Sequence, residues 1–380
     1  GGGSGGALYL KAKNLVLTEN SIVDVSGGGG GGGAGRIYLE GEASLINQGI
    51  NNLKKSGGSG AAFGTEGTLR FVRPSYMEEL DFRSGSVVID TDVGSLLHSD
   101  GSIAYGMTED FLYIDESGAA WPYSVCKFSF TRIQLSGGVV VRLQGRNALA
   151  LEAYSGDLIM GANIRADGGA ANENFGGTGK LGGYSGVDGG SLYGNGPGSP
   201  KLVSSVGHGA SYGGHGSGNA KEYGDASLNS LLGGSSGGSA DSDGVGAGGG
   251  ALHLKASREL IIEPNVLITA NGGNGDGSAA SGSGGAIRLE ATRIFNHGRI
   301  EARAGSGVQV DGNNQNRGSS GGRVSMIASA EVKSGDIDVS GEWLSSDGSI
   351  FIGGNYQNSS LMADNSRVTI DTKTGYFSIE

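Results

Sequence analysis

The sequence repeats one phrase of alternating apolar and polar residues, and each copy closes on a turn residue followed by glycine. The clearest copies are Ala7–Gly27, Ala148–Gly168 and Ala251–Gly272. Looser copies begin at Arg36, Ala286 and Arg323. A phrase of about 22 residues that recurs between glycine-rich spacers is typical of a stacked β architecture rather than of a packed globule.

Each copy contains the pattern of three short strands. Leu8, Leu10 and Ala12 alternate with polar or aromatic residues, which is the two-residue period of a half-buried strand. Two further short apolar runs follow, and Ser, Asn or Asp before glycine ends the third run in a turn. Three short strands and three turns in about 22 residues match one coil of a parallel β-helix. We therefore predict an all-β fold, a parallel β-helix (β-solenoid) with glycine-rich inserts between its coils.

The composition agrees with a thin, stacked core. Glycine accounts for 79 of the 380 residues against 5 prolines, and the glycines cluster instead of following a three-residue period, so collagen is excluded. Hydrophobic residues make up 36% of the chain, which is too many for a disordered linker. No stretch approaches the roughly 20 consecutive apolar residues of a membrane helix, so membrane insertion is not expected.

A longer period lies over the short one. Ile89-Asp90-Thr91 and the following Gly94 match Ile370-Asp371-Thr372 and Gly375. The chain therefore holds a little more than one large repeat, and we expect the natural protein to continue beyond both ends. The predicted division is into β-helix coils that end one large repeat, irregular β coils or a side lobe, a single coil, a glycine/tyrosine-rich insert, and the coils of the next large repeat. These segments are 1–56, 57–147, 148–169, 170–250 and 251–380.

The long insert allows two interpretations. Glycine and serine predominate in it, as in a flexible linker. Four tyrosines recur among the glycines, and this favours ordered glycine segments that are packed on the β-helix with the tyrosines as clamps. The tyrosines are Tyr184, Tyr193, Tyr212 and Tyr223.

One family resemblance is carried by this insert. The runs His208–Gly216, Gly233–Gly238 and Gly248–Leu252 resemble a glycine-rich parallel β-helix repeat found in very large secreted or cell-surface proteins of bacteria and protists. The resemblance implies an extracellular structural or adhesive role, and it transfers no catalytic residue. Pectin-lyase-like enzymes share the β-helix architecture alone, and a fold does not imply a function.

Charge and cysteine content narrow the partners. The net charge of −11 disfavours nucleic acid as a partner, because no basic stripe is present to neutralise phosphates. Cys126 is the sole cysteine, so an internal disulfide is excluded. Its strand-like surroundings favour a buried apolar thiol over a bond between molecules.

The candidate metal ligands are few. His208 and His215 flank a tyrosine, but glycine-rich loops support a metal site poorly. Asp90 and Asp92 suit Ca²⁺, and outward carboxylates on a strand explain them equally well. We therefore expect no cofactor, with Ca²⁺ as the open alternative.

Several charged residues are expected to face outward at strand positions: Lys11, Arg36, Glu40, Arg288 and Glu290. Glu40 and Glu290 occupy matching places in their copies of the phrase. A polysaccharide lyase or hydrolase needs a unique cluster of such groups. Residues that repeat with the coil are better explained as a solvated ladder, so we predict that the protein is not an enzyme.

Three functions follow from these features. The favoured one is a non-enzymatic extracellular structural segment that forms a rod, stalk or filament, with copies of itself or adjacent repeats end to end as partners. The first alternative is a surface adhesin that binds carbohydrate by stacking on Tyr184, Tyr193, Tyr212 and Tyr223. The second alternative is a pectin-lyase-like, polysaccharide-active enzyme. Asn358 begins a glycosylation sequon that matters only in a eukaryotic secreted protein.

Overall fold

The computed structural model forms two compact units, Gly1–Met77 with Ala104–Glu109, and Glu78–Ile103 with Asp110–Glu380. It describes residues 3–17, 22–29, 32–47, 53–54, 56, 68–72, 79–190, 193–200, 208–217, 221–239, 242–277, 279–307, 318–342, 345–354, 367–372 and 375–379. Strands account for all the regular secondary structure of these residues, and none of them is helical. The prediction of an all-β chain is confirmed.

The first unit contains five strands that lie wholly within it. They are β1 (Ala7–Leu17), β2 (Val23–Asp24), β3 (Arg36–Asn47), β4 (Leu53–Lys54) and β5 (Thr68–Val72). β1, β3 and β5 form a parallel sheet in that order, and β2 pairs with β4.

The central strand of this parallel sheet carries two fully buried apolar residues of the first unit. Leu8 is the register partner of Ile37, and Leu10 is the partner of Leu39. Ile37 and Leu39 are fully buried, whereas Leu8 and Leu10 in β1 are half-buried. The apolar column of this unit is therefore covered at β3 and partly open at β1.

The second unit contains most of the remaining strands. They are β6 (Glu79–Asp90), β7 (Ser95–His98), β10 (Ala120–Phe130), β11 (Arg132–Gln144), β12 (Ala148–Ala153), β13 (Leu158–Met160), β14 (Ile164–Arg165), β15 (Ala251–Ala256), β16 (Glu259–Ile262), β17 (Leu267–Thr269), β18 (Ala286–Glu301), β19 (Arg323–Asp338), β20 (Ser349–Gly354), β21 (Arg367–Thr372) and β22 (Gly375–Ile379). The strands β8 (Ile103–Tyr105) and β9 (Met107–Ile114) include residues of both units.

The main ladder of the second unit is parallel and in register. β10, β12, β15, β18, β19, β20 and β21 follow one another, each paired with the next. Residues that share a register position form columns, and the residues of two columns are fully buried from β10 to β20. The first column is Cys126, Leu149, Leu252, Ile287, Val324 and Ile350, and the second is Phe128, Leu151, Leu254, Leu289, Met326 and Ile352. The sequence prediction of a buried Cys126 thiol is confirmed.

We call each strand of the main ladder, with the chain that follows it up to the next such strand, a rung. Two further parallel ladders align later residues of these rungs, the first of them together with Leu80 of β6. One aligns Leu80, Ile133, Leu158, Leu260, Ile294 and Val332, and the other aligns Ile164, Ile268, Ile300 and Ile337. The β6–β7 and β21–β22 pairs are antiparallel, so the large sheet of the second unit is mixed. Its strand order makes it nearly closed. That the successive rungs wind as coils of a parallel β-helix stays a prediction.

The backbone of the neighbouring rung requires a glycine immediately before β18, β19 and β20. A Cβ added to Gly285 would lie 2.0 Å from the carbonyl oxygen of Gly250, and one added to Gly322 would lie 2.1 Å from that of Gly285. The same relation holds for Gly348, whose Cβ would lie 1.9 Å from the carbonyl oxygen of Gly322. Such approaches are shorter than any van der Waals contact, so only glycine fits, which explains why glycine precedes Ala286, Arg323 and Ser349.

The described residues of the glycine-rich insert are packed through backbone hydrogen bonds between extended segments. Gly248 N donates to Tyr184 O at 2.9 Å, and Gly234 N donates to Gly249 O at 2.8 Å. Gly177 N donates to the carbonyl of Val245 at 2.9 Å. Each backbone approaches its neighbours closely because glycine has no side chain. The described residues of the insert are therefore packed against neighbouring backbone, which is the arrangement that the ordered interpretation expects.

Candidate functional site

The insert contacts the main ladder through two tyrosines. Tyr212 and Tyr223 are buried, and their ring centroids lie 4.6 Å apart at an interplanar angle of 42°. They pack with leucines of the insert and with the alanines that open three rungs. The residues of this cluster are Ala148, Tyr212, Tyr223, Leu228, Leu231, Leu232, Ala251 and Ala286. The alanines leave room for the rings where a larger side chain would exclude them.

Both tyrosine hydroxyls are held by the insert's own backbone. The Tyr212 hydroxyl donates to Leu232 O at 2.8 Å, and the Tyr223 hydroxyl donates to Gly233 O at 2.6 Å. Ser235 Oγ donates to the Tyr223 hydroxyl at 2.9 Å. Burial raises the pKa of both phenols well above the ordinary value, so both stay protonated and remain donors.

Arg323 joins this insert to the ladder. Its Nη2 donates to the carbonyl oxygens of Tyr212 and Tyr223, each at 3.1 Å, and its Nη1 donates to Ser349 Oγ at 2.9 Å. The guanidinium carbon lies 5.4 Å from the centroid of the Tyr212 ring, within the range of a cation–π contact. Glu222 Oε2 lies 4.0 Å from Nη2. We call Tyr212, Tyr223, Glu222 and Arg323 the tyrosine–arginine clamp.

The four tyrosines predicted to stack on carbohydrate fall into two groups. Tyr212 and Tyr223 present no ring face to solvent in this structure. Tyr193 is 51% exposed, and Tyr184 is half-buried with its ring edge-on to Trp121, the centroids lying 6.2 Å apart. A stacking role is therefore open to Tyr193 and Tyr184, while the other two act as the clamps that the sequence suggested.

A charged row runs across the outward face of three consecutive rungs. Glu152, Lys255 and Glu290 occupy one register position in β12, β15 and β18. Lys255 Nζ lies 3.6 Å from Glu152 Oε1 and 3.2 Å from Glu290 Oε1. Lys127 Nζ lies 3.7 Å from Glu152 Oε2 and extends the row to β10. Opposite charges on adjacent strands stabilise the pairing of those strands.

The insert partly covers one end of this row. His253 Nε2 lies 3.4 Å and Arg288 Nη2 lies 3.0 Å from Glu290 Oε2. Arg288 Nη1 donates to Leu228 O of the insert at 3.0 Å. The hydrogen bond with His253, followed by that with Lys255, lowers the pKa of Glu290 to about 2, and burial lowers the pKa of His253.

These pKa shifts decide what the row does chemically. At neutral pH Glu290 is ionised and His253 is neutral. A glycosidase general acid requires the opposite, a carboxyl group whose pKa is raised so that it still holds its proton. Glu290 is therefore an electrostatic partner of the neighbouring strands and is unsuited to protonate a leaving group. Of the other residues predicted for the outward ladder, Arg36 is exposed, and the side chains of Lys11 and Glu40 lie outside the described part.

The two aspartates that the sequence suggests for Ca²⁺ hold a turn together through hydrogen bonds. Asp90 Oδ1 accepts the amides of Asp92 and Val93 at 2.9 and 3.0 Å, and Gln144 Nε2 donates to Asp90 Oδ2 at 2.8 Å. Asp92 accepts the amide of Arg146 at 2.8 Å. Both carboxylates thereby fix the β6–β7 turn against β11.

The remaining predicted sites are not brought together into a metal site. His215 Nε2 lies 3.4 Å from Glu222 Oε1. Across the ranges that the structure describes, no group of three or more His, Cys, Asp or Glu residues is placed to hold a metal ion. Asn358, the predicted glycosylation residue, lies outside the described residues.

Sequence reasoning missed Arg323 and His253. In the ladder register Ala251 pairs with Ala286, which pairs with Arg323. The sequence signal for Arg323 is an arginine at a position where the preceding rungs have alanine. An arginine at the start of a copy of the phrase is not enough by itself, because Arg36 also begins a copy and is exposed. The signal therefore requires the copies to be aligned rung by rung.

Comparison with known proteins gives no relative from which function can be transferred. No protein-family model, no curated protein and no solved structure matches this chain. Within the described ranges, no helix has the length and apolar character that crossing a membrane would require.

Proposed function

We propose that this chain is a non-enzymatic, extracellular structural segment that forms a rod, stalk or filament by stacking of β-helix coils. The observation that carries the proposal is the pair of buried columns that pass through β10, β12, β15, β18, β19 and β20 in unbroken register. Every rung offers the next the same apolar surface and the same row of backbone donors and acceptors. Such a ladder grows longer as rungs are added. Its proposed role is to supply a rod, stalk or filament with length and stiffness.

The order of the ladders supports coils of a parallel β-helix. β12, β13 and β14 follow one another in the chain and pair with β15, β16 and β17 in the same order. β15, β16 and β17 in turn pair with three successive parts of β18. A chain that winds once per rung produces this order, because each strand lies above its counterpart in the preceding coil.

The energetics favour stacking. A fully buried Leu or Ile side chain contributes about 1.5–3 kcal/mol relative to an exposed one, and each rung adds at least two to the columns. The Glu152–Lys255–Glu290 row adds attraction between neighbouring rungs on the outward face. Ladder hydrogen bonds and stacked aliphatic side chains thus hold the rungs together in a chain whose one cysteine is buried.

The test is assembly of the purified chain. Electron microscopy and sedimentation velocity over a wide concentration range should show uniform fibres whose amount rises with protein concentration. A folded protein that stays monodisperse and monomeric at the highest concentration would argue against the filament proposal.

A second candidate is an adhesin, favoured by the exposed ring of Tyr193 and by the Trp121–Tyr184 pair. Aromatic rings with an open face bind sugars by stacking. Glycan-array binding that Tyr193→Ala abolishes would support this candidate, with Tyr154→Ala as the control because Tyr154 is equally exposed at 52%. A pectin-lyase-like activity is the remaining alternative, and release of reducing ends from acidic polysaccharides would favour it.

A further inference from the structure

Two segments of the chain are copies of one strand–hairpin element. Residues 67–96 and 348–377 align without a gap, and they share valine, isoleucine, aspartate and threonine near the hairpin. The identical pairs are Gly67/Gly348, Leu80/Leu361, Val87/Val368, Ile89/Ile370, Asp90/Asp371, Thr91/Thr372 and Gly94/Gly375. β5 aligns with β20, the end of β6 with β21, and β7 with β22.

The two hairpins have the same register. Ile89 pairs with Leu96 in the β6–β7 hairpin, and the aligned Ile370 pairs with Phe377 in the β21–β22 hairpin. Both hairpins are antiparallel. The equivalence found in the sequence is therefore also an equivalence of backbone pairing.

The parallel partners of the two hairpins differ. On its other edge β6 pairs with β11, with Val87 opposite Val141. The aligned strand β21 pairs instead with β20, with Val368 opposite Ile350. The aligned strand therefore pairs with β11 in one copy and with β20 in the other. We infer that the sequence of the hairpin alone does not determine its pairing with β20.

The parallel sheet of the first unit has an outer edge at β1. Within the described first unit β1 is the outer strand of the β1-β3-β5 sheet. Leu8 and Leu10 are half-buried there, whereas their register partners in β3 are fully buried. Ile350 and Ile352 of β20, by contrast, are fully buried, and β20 is paired with β21. An unpaired apolar strand edge is a template for pairing with another chain.

We propose that the β21–β22 hairpin is a displaceable cap, and that the edge of β20 beneath it is the docking site for β1 of a second copy of this chain. Residues 7–12 repeat the rung sequence of residues 251–256, so β1 supplies the same alternating apolar residues and the same preceding glycine as a rung of the ladder. The docking is parallel, with Leu8 opposite Ile350 and Leu10 opposite Ile352. A contact between two different surfaces repeats from molecule to molecule and generates a filament.

This inference rests on the proposed function and adds a mechanism by which the hairpin controls assembly. A capped edge keeps single molecules apart until the hairpin is released, because the backbone groups of β20 are occupied.

Thr369→Pro tests the cap, because proline removes a backbone donor in β21 and disfavours the strand. Thr369→Val is the matched control, since valine is also β-branched. In sedimentation velocity we expect Thr369→Pro to assemble at a concentration at least about 10-fold below that of the wild type, with Thr369→Val unchanged. A Thr369→Pro protein with wild-type circular dichroism that assembles no more readily than the wild type would overturn the inference.

The β1 side is tested in the Thr369→Pro background. Leu8→Asp places a charge at the docking edge and should return the protein to monomers, whereas Tyr9→Ser, at a residue whose side chain is 57% exposed, should not. Equal assembly of both double variants would contradict docking through β1.

Hydrogen exchange on the wild type gives a test that needs no variant. We expect the amides of residues 367–371 to exchange at least about 10-fold faster than those of residues 324–328, because the cap opens without unfolding the ladder. Equal protection of the two segments would overturn displacement of the cap. Wild-type fibres seen with equal protection would leave the filament proposal standing and remove only the cap, which separates the two failures.

Discussion

Arg323 Nη2 donates to the carbonyl oxygen of Tyr212 at 3.1 Å across 111 residues of sequence, and so attaches the glycine-rich insert to the ladder. The aromatic ring of Tyr212 also contacts Arg323, because the guanidinium carbon lies 5.4 Å from the ring centroid. The insert has few side chains large enough to bury apolar area, because glycine predominates in it. Its attachment therefore depends on a small number of such contacts.

Replacing Arg323 by alanine should destabilise the protein by about 2–4 kcal/mol, because two buried carbonyl oxygens and the half-buried Ser349 hydroxyl lose their donor. Arg323→Lys should recover little, since an ammonium group cannot reproduce the planar fork that reaches two carbonyls and a hydroxyl. Urea denaturation measures both. The control is Arg146→Ala, because the Arg146 side chain is 86% exposed and its removal should change stability by less than about 0.5 kcal/mol. Equal effects of Arg323→Ala and Arg146→Ala would show that the clamp does not hold the insert.

Acid should destabilise the fold in two steps. The folded pKa of His253 is lowered by burial, so the folded state binds fewer protons than the unfolded state and stability falls as the pH drops below about 6.5. The folded pKa of Glu290 is lowered from 4.5 to about 2, so its contribution is present above pH 4.5 and is lost as the pH falls towards 2.

Single variants separate the two steps. Glu290→Gln should flatten the dependence of unfolding free energy on pH between 4.5 and 2, and His253→Gln should flatten it just below 6.5. Denaturation at a series of pH values gives both slopes. A Glu290→Gln protein whose stability falls as steeply as that of the wild type over the lower window would contradict the paired state of this carboxylate.

Gly285→Ala should destabilise the ladder by at least about 3 kcal/mol, because the new Cβ would meet the carbonyl oxygen of Gly250 at 2.0 Å and two rungs would have to separate. Gly29→Ala is the matched control, since nothing lies within 4 Å of the position of its Cβ. Thermal unfolding distinguishes the two. If both variants melt at the wild-type temperature, glycine is not required at the rung start.

Asn265 occupies the left-handed region with φ of 66° and is exposed. Asn265→Ala should cost about 1 kcal/mol, because a Cβ without a local hydrogen-bonding group disfavours this conformation. Asn265→Gly should cost nothing or stabilise slightly, since glycine adopts positive φ freely. Differential scanning calorimetry of the pair gives the comparison, and a glycine variant less stable than the alanine variant would contradict the assigned backbone conformation.

The sequence predicted the buried columns well and the attachment of the insert poorly. Leu149 and Leu252 were expected to face the core and are fully buried, because the two-residue period of a strand is a local property. The match of Ile89 with Ile370 likewise corresponds to a shared hairpin register. Local patterns of this kind are visible without knowing which rungs are neighbours.

The roles of Arg323 and His253 could not be predicted without knowing which segments of the chain lie next to them. Arg323 is buried because the insert folds back over the position where the preceding rungs have alanine, and the sequence suggested clamping tyrosines without showing which position of the ladder they cover. His253 acquires its lowered pKa from burial beside the next rung. Stacking on Tyr212 and Tyr223 was proposed from residue type alone, and residue type does not say which ring is covered.

Fibre X-ray diffraction of aligned, concentrated protein tests the central claim most directly. Rungs stacked along a rod place their strands across its axis, so we expect a strong meridional reflection at about 4.8 Å, the distance between neighbouring strands. A specimen of folded protein that aligns but gives this reflection on the equator, or gives none, would contradict a filament built by stacking these rungs.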